Sequence, residues 1–251
     1  MIRKENTYSY RINIEDIDFR KQVSILSLTN YILSSAGKNA DENGIGLLSL
    51  QEHGYTWVLS RFVIDMIQFP QQKERVFIKT WIEKMSGVFI LRNFIITAED
   101  GNIIGYAATS WAIIDLTNRQ SVLPEKAIPS IKEFLMAQST PIGMPERIPN
   151  KKGSIKNNFQ VQCSHLDVNE HANTRYYIQW IQDCFPIDFY RKHQIKRIEI
   201  NFLKELIYEE KGDVLHYQED ENSHFCQIVN HKNEIACRAK LRSTKTQTNN
   251  N

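Results

Sequence analysis

Apolar positions recur along the chain in two rhythms, and the rhythms come in the same order twice. "YSYRINI" alternates as a strand does, and in the following "SILSLTNYILSSAGKNADENG" Ile25, Leu28, Ile32 and Ala36 keep helical spacing until Asn43-Gly44 supplies a stop. Then come "YTWVLSRFVIDMIQF", "VFIKTWIEKM", "VFILRNFIITAED" and "NIIGYAATSWAIIDL", runs rich in β-branched and aromatic residues parted by turn signals such as "EDGN". These predict one helix followed by strands of an antiparallel sheet. The second half repeats the order: a strand in "NNFQVQCS", a helix whose stripe of Tyr177, Ile178, Ile181, Cys184 and Phe185 ends at Pro186, then strands in "RIEINFLKEL", "DVLHYQED", "HFCQIVN" and "EIACRAKLR". "RFVIDMIQF" in the first half has its counterpart in "RIEINFLKE" in the second. The pattern predicts an α+β protein of two duplicated units, each wrapping a sheet around its own helix.

Between the copies, residues 137–157 carry Pro141, Pro145 and Pro149, which forbid a regular element and predict a linker. The expected organisation is a first domain at 1–136, the linker, a second domain at 158–242, and a polar tail at 243–251 that is expected to be disordered.

Composition narrows the class. With 41% hydrophobic and 24% charged residues among 251, the chain is an ordinary globular one with length enough for a substantial core. A net charge of +2 is too small for a strongly basic nucleic-acid binder, so no nucleic acid is expected as a partner. "MIRKENTYSYRINIEDIDF" lacks the apolar stretch of a signal peptide, and no segment approaches a membrane-spanning length. A cytoplasmic protein without membrane insertion is expected. Cys163, Cys184, Cys226 and Cys237 are scattered without a C-x-x-C pair and signal neither a disulfide framework nor zinc. Cys237 alternates with Ile235, Ala239 and Leu241 as a small buried hydrophobe would.

Candidate chemistry concentrates in "SHLDVNEHANTRYYIQWI". In an extended chain Asp167, Asn169 and His171 point the same way, while Asn173 is placed to cap the helix that follows. A histidine able to take a proton from water, carboxylate or amide groups that orient it, and helix-terminal N–H groups that steady an oxyanion together suit acyl transfer. The same residues equally serve as ordinary caps and turn formers, and spacing alone leaves both readings open. His165, Asp167 and His171 match no compact metal-ligand spacing, no G-x-S-x-G is present, and the glycines are too dispersed to cradle phosphate. No metal and no cofactor are expected.

"LDVNEHANTRYYIQWI" resembles the L-D-V-N-Q-H-V-N-N-x-x-Y-I-x-W-I signature of the acyl-carrier-protein thioesterases of fatty-acid synthesis, with Trp180 nine and Pro186 fifteen residues beyond His171. "TWVLSRFVID" and "TSWAIIDLTNRQSVLPE" resemble segments of the same family, so the similarity covers most of the chain. It implies two tandem hotdog domains, the first binding the acyl chain and the second catalytic. It further implies catalytic roles for Asp167, Asn169 and His171, and for Glu205, which lies 34 residues after the histidine. Many plastid members carry cysteine at the next position, where this chain has Leu206, so a covalent acyl-cysteine at that position is not expected.

The implied substrate is a fatty acyl-[acyl-carrier-protein], with Trp57, Phe62, Met66 and Trp111 as candidates to line the acyl tunnel. Carrier protein is acidic and calls for positive charge near the tunnel mouth. Arg191, Lys192, Lys196 and Arg197 in "YRKHQIKR" are candidate docking residues, joined by Lys151, Lys152 and Lys156. An acyl-CoA thioesterase, a hotdog dehydratase and a non-catalytic acyl-binding protein remain as alternatives. Two tandem units already make the pair that single hotdog chains reach by dimerising, so either a monomer or a homodimer is expected.

Overall fold

The computed structural model describes residues 2–246, and the chain divides into two units between Pro145 and Glu146. In the first unit β1 (Glu5–Arg11) leads into α1 (Ile25–Glu42) and the short α2 (Leu47–Glu52). β2 (Tyr55–Met66), β3 (Arg75–Ser86), β4 (Phe89–Ala98) and β5 (Ile103–Asp115) follow, with a two-residue β6 (Ser121–Val122) and α3 (Pro124–Ala127) at the end. The strands pair antiparallel in the order β1-β3-β4-β5-β2, with β6 on β5.

The second unit has the same plan. β7 (Ser154–Gln160) leads into α4 (Thr174–Gln182) and α5 (Ile187–Lys192), and then into β8 (His193–Phe202), β9 (Lys211–Gln218), β10 (Ser223–Asn230) and β11 (Ile235–Lys245). Its order is β7-β9-β10-β11-β8, which is the first unit's order with each strand replaced by its counterpart. Each unit is a hotdog domain, an antiparallel sheet curved around a helix.

α1 begins where the Ser24 hydroxyl accepts the Ser27 N–H, and it buries Leu28, Ile32 and Ala36 against the sheet. It stops at Asn43, and Gly44 takes the left-handed conformation (φ 70°) that glycine tolerates best. Phe62 and Phe94 are fully buried on the same face of the sheet as Arg92, whose guanidinium bonds Asn39 of α1, and each contributes about 2–3 kcal/mol of transfer free energy.

α4 is capped by Asn173, whose side chain accepts the Arg175 N–H, but it spans nine residues where the apolar stripe predicted a longer helix. Cys184 and Phe185 are buried as the stripe requires, in a tightened turn that bonds Cys184 N to Ile181 O and Phe185 N to Gln182 O. Pro186 disfavours helical backbone in the residue before it, so the last turn narrows.

Regular structure also begins earlier and ends later than polarity suggested. Residues 154–157, expected in the linker, belong to β7, and residues 243–245, expected in the tail, belong to β11. Ladder pairing supplies the reason: Ile155 pairs with Leu215, and Ser243, Thr244 and Lys245 pair with Ile195, Gln194 and His193, whatever the side chains. The rest of the expected tail, residues 247–251, lies outside the described residues.

Candidate active site

After a 3-10 turn (Cys163–His165) the chain reverses within five residues, and Leu166 pairs antiparallel with Ala172. Such a reversal needs a left-handed residue, and Glu170 supplies it at φ 61°. One oxygen of Asp167 accepts the backbone N–H groups of Asn169 (2.8 Å) and His171 (3.2 Å), while Asp167 N bonds His171 O at 2.8 Å. Asp167, Asn169 and His171 therefore lie around a closed turn and not along the extended strand that their two-residue spacing suggested. A short carboxylate that bonds amides two and four residues ahead favours the turn over the strand. His165 is also committed locally: its Nδ1 accepts the Gln162 N–H at 3.1 Å and its ring packs 4.2 Å from that of Tyr176. Burial lowers its pKa.

The partner of the His171 ring comes from elsewhere in the unit. Beyond β8, residues 203–207 run beside the turn, with Ala172 N bonded to Leu206 O and His171 paired with Ile207. This brings Oε2 of Glu205 to 3.2 Å from Nε2 of His171, with the two side chains 38% and 21% exposed, so the pair is open to a small reactant. The Tyr177 hydroxyl of α4 donates to Lys204 O (3.4 Å) and accepts from Leu206 N (3.2 Å), holding the backbone on both sides of Glu205. Burial raises the Tyr177 pKa well above its usual value, so the hydroxyl stays protonated. The helical stripe had marked Tyr177 as core alone; its clamp on residue 206, 29 positions away, has no local signal.

Leu206 is fully buried, so this position turns its side chain into the core. Cys184, Cys226 and Cys237 are buried too, and Cys163 is exposed. Val168 in the turn, and Leu203, Ile207 and Tyr208 in and just after the segment that carries Glu205, are all more than half exposed. Among the described residues no cluster of His, Cys, Asp or Glu is arranged to hold a metal ion.

The first unit carries the same turn with different side chains. Ile17 pairs with Val23 as Leu166 does with Ala172, Lys21 has φ 62°, and Asp18 Oδ1 accepts the Arg20 N–H at 2.8 Å. Ser24 caps α1 where Asn173 caps α4. Gln22 stands where His171 stands, and Phe69, in the counterpart of the Glu205 loop, is buried. With Gln22 and Phe69 at those positions the first copy has neither the imidazole nor its carboxylate, and Asp18 makes an ion pair with Arg20.

The acyl-tunnel candidates lie in the first unit. Phe62 and Met66 are buried on β2, while Trp57 and Trp111 are half-buried and meet edge to face at 6.4 Å. The Trp57 Nε1 donates to Ile45 O and that of Trp111 to Thr109 Oγ1. An open hollow of about 670 Å³ in this unit is lined by Met85, Gly87, Leu123, Glu125, Lys126 and Lys132, and by none of those four. Of the docking candidates, Arg191 pairs with Asp188 and Arg197 with Glu199, which neutralises two cations of the "YRKHQIKR" run. Lys192 is exposed and Lys196 is half-buried.

Fold and site define a tandem hotdog protein with an imidazole–carboxylate pair at the turn before α4. Two family models match the chain, the acyl-ACP thioesterase N-terminal domain over residues 3–128 and the acyl-ACP thioesterase C-terminal domain over residues 148–251. The chain belongs to the acyl-ACP thioesterase family. It is similar to the crystal structure of an acyl-ACP thioesterase from Bacteroides thetaiotaomicron, with 31% identity and a TM-score of 0.90 over 96% of this chain and 98% of that one. The 12:0-ACP thioesterase from Umbellularia californica shares the fold, at 16% identity and a TM-score of 0.86 over 98% and 99% of the two chains. A palmitoyl-acyl carrier protein thioesterase of Gossypium hirsutum chloroplasts is 22% identical over 211 residues, 78% of this chain and 51% of that protein. The chain spans about half the length of the curated relatives it matches first.

Proposed function

We propose that the protein hydrolyses the thioester of fatty acyl chains held on acyl carrier protein, releasing free fatty acid and ending chain elongation. The observation that carries this reading is the 3.2 Å contact between His171 Nε2 and Glu205 Oε2 at an exposed turn leading into α4. In the proposed reaction His171, oriented by Glu205, takes a proton from a water as its oxygen attacks the thioester carbonyl carbon. The C–S bond of the resulting tetrahedral intermediate then breaks, and the proton returns to the sulfur of the leaving thiol. Asn169 steadies the oxyanion, and Asp167 keeps the turn closed. A water nucleophile is favoured over a cysteine because the side chain at residue 206 is a buried leucine. Trp57, Phe62, Met66 and Trp111 are proposed to line the acyl tunnel.

The test is release of free thiol from acyl-carrier-protein thioesters of C8 to C18 and the matching acyl-CoAs, with His171→Ala beside the parent. Hydrolysis of the carrier-protein thioesters that disappears in His171→Ala supports the reading. Preference for acyl-CoA transfers the same chemistry to a nucleotide-bearing thiol, and no release from either set refutes it.

A further inference from the structure

We propose that the outward face of β11, at Arg238, Lys240 and Arg242, is the docking surface for the acidic carrier protein; the identity of this partner rests on the function proposed above. From Cys237 onward β11 alternates. Cys237, Ala239 and Leu241 are fully buried, and the three cations between them occupy the opposite face. On this face Lys240 lies opposite Phe225 of β10 and Glu199 of β8, and Arg242 lies opposite Arg197. Lys240 and Lys151 bracket the Phe225 ring, at 5.4 and 5.3 Å from its centroid, and Lys151 also meets the ring of Tyr217 at 5.5 Å.

Charge on the face is unbalanced. Glu199 is bonded to Arg197 and Glu219 to Lys151. Among the described residues, Arg238, Lys240 and Arg242 have no carboxylate partner, and the Arg238 guanidinium donates instead to Ile148 O. Two arginines directly opposite one another repel, a cost with no return inside the domain.

The first unit provides an internal comparison. Arg61 lies opposite Ser110 as Arg197 lies opposite Arg242, and Ile64 opposite Ala107 as Ile200 lies opposite Ala239. By that register Tyr106, Ala108 and Ser110 stand where Arg238, Lys240 and Arg242 stand, so the shared fold does not require the cations.

The partner's chemistry follows from spacing and sign. Alternate strand residues lie about 6.6 Å apart, close to the roughly 6 Å between carboxylates four positions apart on a helix. An acidic helix can therefore set successive carboxylates against successive cations. A continuous polyanion fits less well, because the chain's net charge is only +2 and two carboxylates share the face.

Calorimetric titration at low salt with carrier protein bearing an amide-linked, non-hydrolysable acyl group tests the surface. Arg238→Glu/Lys240→Glu/Arg242→Glu is expected to weaken binding about tenfold or more and to flatten its salt dependence. The milder Lys240→Gln/Arg242→Gln should weaken it less, and covers the case in which triple reversal impairs folding. Lys192→Glu/Lys196→Glu should bind as the parent does. Unchanged affinity in both β11 variants overturns the proposal, as does a parent that ignores carrier protein yet binds single-stranded RNA or anionic phosphatidylserine vesicles. Acyl-CoA hydrolysis by the same variants separates the two readings: parent-like turnover beside weakened carrier binding leaves both standing. Binding sensitive to reversal in a protein that hydrolyses neither substrate sinks the reaction and keeps the surface.

Discussion

Tyr177 and Leu206 are joined by a single hydrogen bond, from the Leu206 amide to the Tyr177 hydroxyl at 3.2 Å, and through it α4 sets where Glu205 stands. Tyr177→Phe removes the acceptor and leaves a buried N–H unpaired, at a cost of about 1–3 kcal/mol in stability. Because the loop it releases carries Glu205, kcat is expected to fall while KM changes little. Chemical denaturation and thioester kinetics on the same preparation check both, and a loss of stability with kcat intact would reduce Tyr177 to plain core.

His171→Ala is expected to lower kcat by about 10²–10⁴-fold, the usual contribution of a general base. Glu205→Gln keeps the shape and removes the charge, so it should lose activity in the same direction by a smaller factor. Thiol release measured beside the melting temperature distinguishes lost chemistry from lost fold. An active His171→Ala protein would remove the imidazole from the reaction.

Asp167 acts on its turn through two accepted N–H groups, and an amide oxygen can accept them too. Asp167→Asn is therefore expected to keep most activity and stability, whereas Asp167→Ala loses about 1–2 kcal/mol and a larger share of kcat. A large loss of kcat in Asp167→Asn at unchanged stability would show that the negative charge itself takes part.

Glu170 and Lys21 hold left-handed backbone in the two copies of the turn, at φ 61° and 62°. Glycine meets that conformation without steric cost, so Glu170→Gly and Lys21→Gly should each be neutral or stabilise by up to about 1 kcal/mol, less the entropy glycine adds to the unfolded chain. Urea midpoints test this. A clear destabilisation would mean that these side chains carry interactions of their own.

His224 is pushed down to about 4, first by burial and then by the nearby His216 and His193, and its Nδ1 lies 3.1 Å from His216 Nε2. Unfolding returns it to an ordinary value near 6.5, so below that pH the unfolded chain binds the proton first. Stability is therefore expected to be flat above about pH 6.5 and to fall as pH drops from there towards 4. His224→Phe, whose ring suits a site beside Phe185 and Phe189, should flatten that fall. A parent whose melting temperature is constant from pH 7 to 4.5 would contradict it.

What the amino-acid order determined by itself is local and periodic. Alternation marked the strands, the spacing of Ile25, Leu28, Ile32 and Ala36 marked α1, and the recurrence of "RFVIDMIQF" as "RIEINFLKE" marked the duplication, because burying one face imposes a period on any strand or helix. Asp167, Asn169 and His171 were legible as a group because they lie within five residues of one another. Glu205 was legible only through family resemblance, since nothing in "NFLKEL" sets it apart from other exposed carboxylates.

Tertiary structure decided the rest. It closed the turn that two-residue spacing suggested as a strand, because backbone amides compete for the Asp167 carboxylate and pattern does not register that competition. It extended β7 and β11 into polar sequence, because a ladder needs only main-chain groups. It brought residue 205 to residue 171 and residue 177 to residue 206, and it set Arg242 opposite Arg197. Those pairings join positions far apart in the chain, and only the register and packing of a folded sheet determine which residues meet.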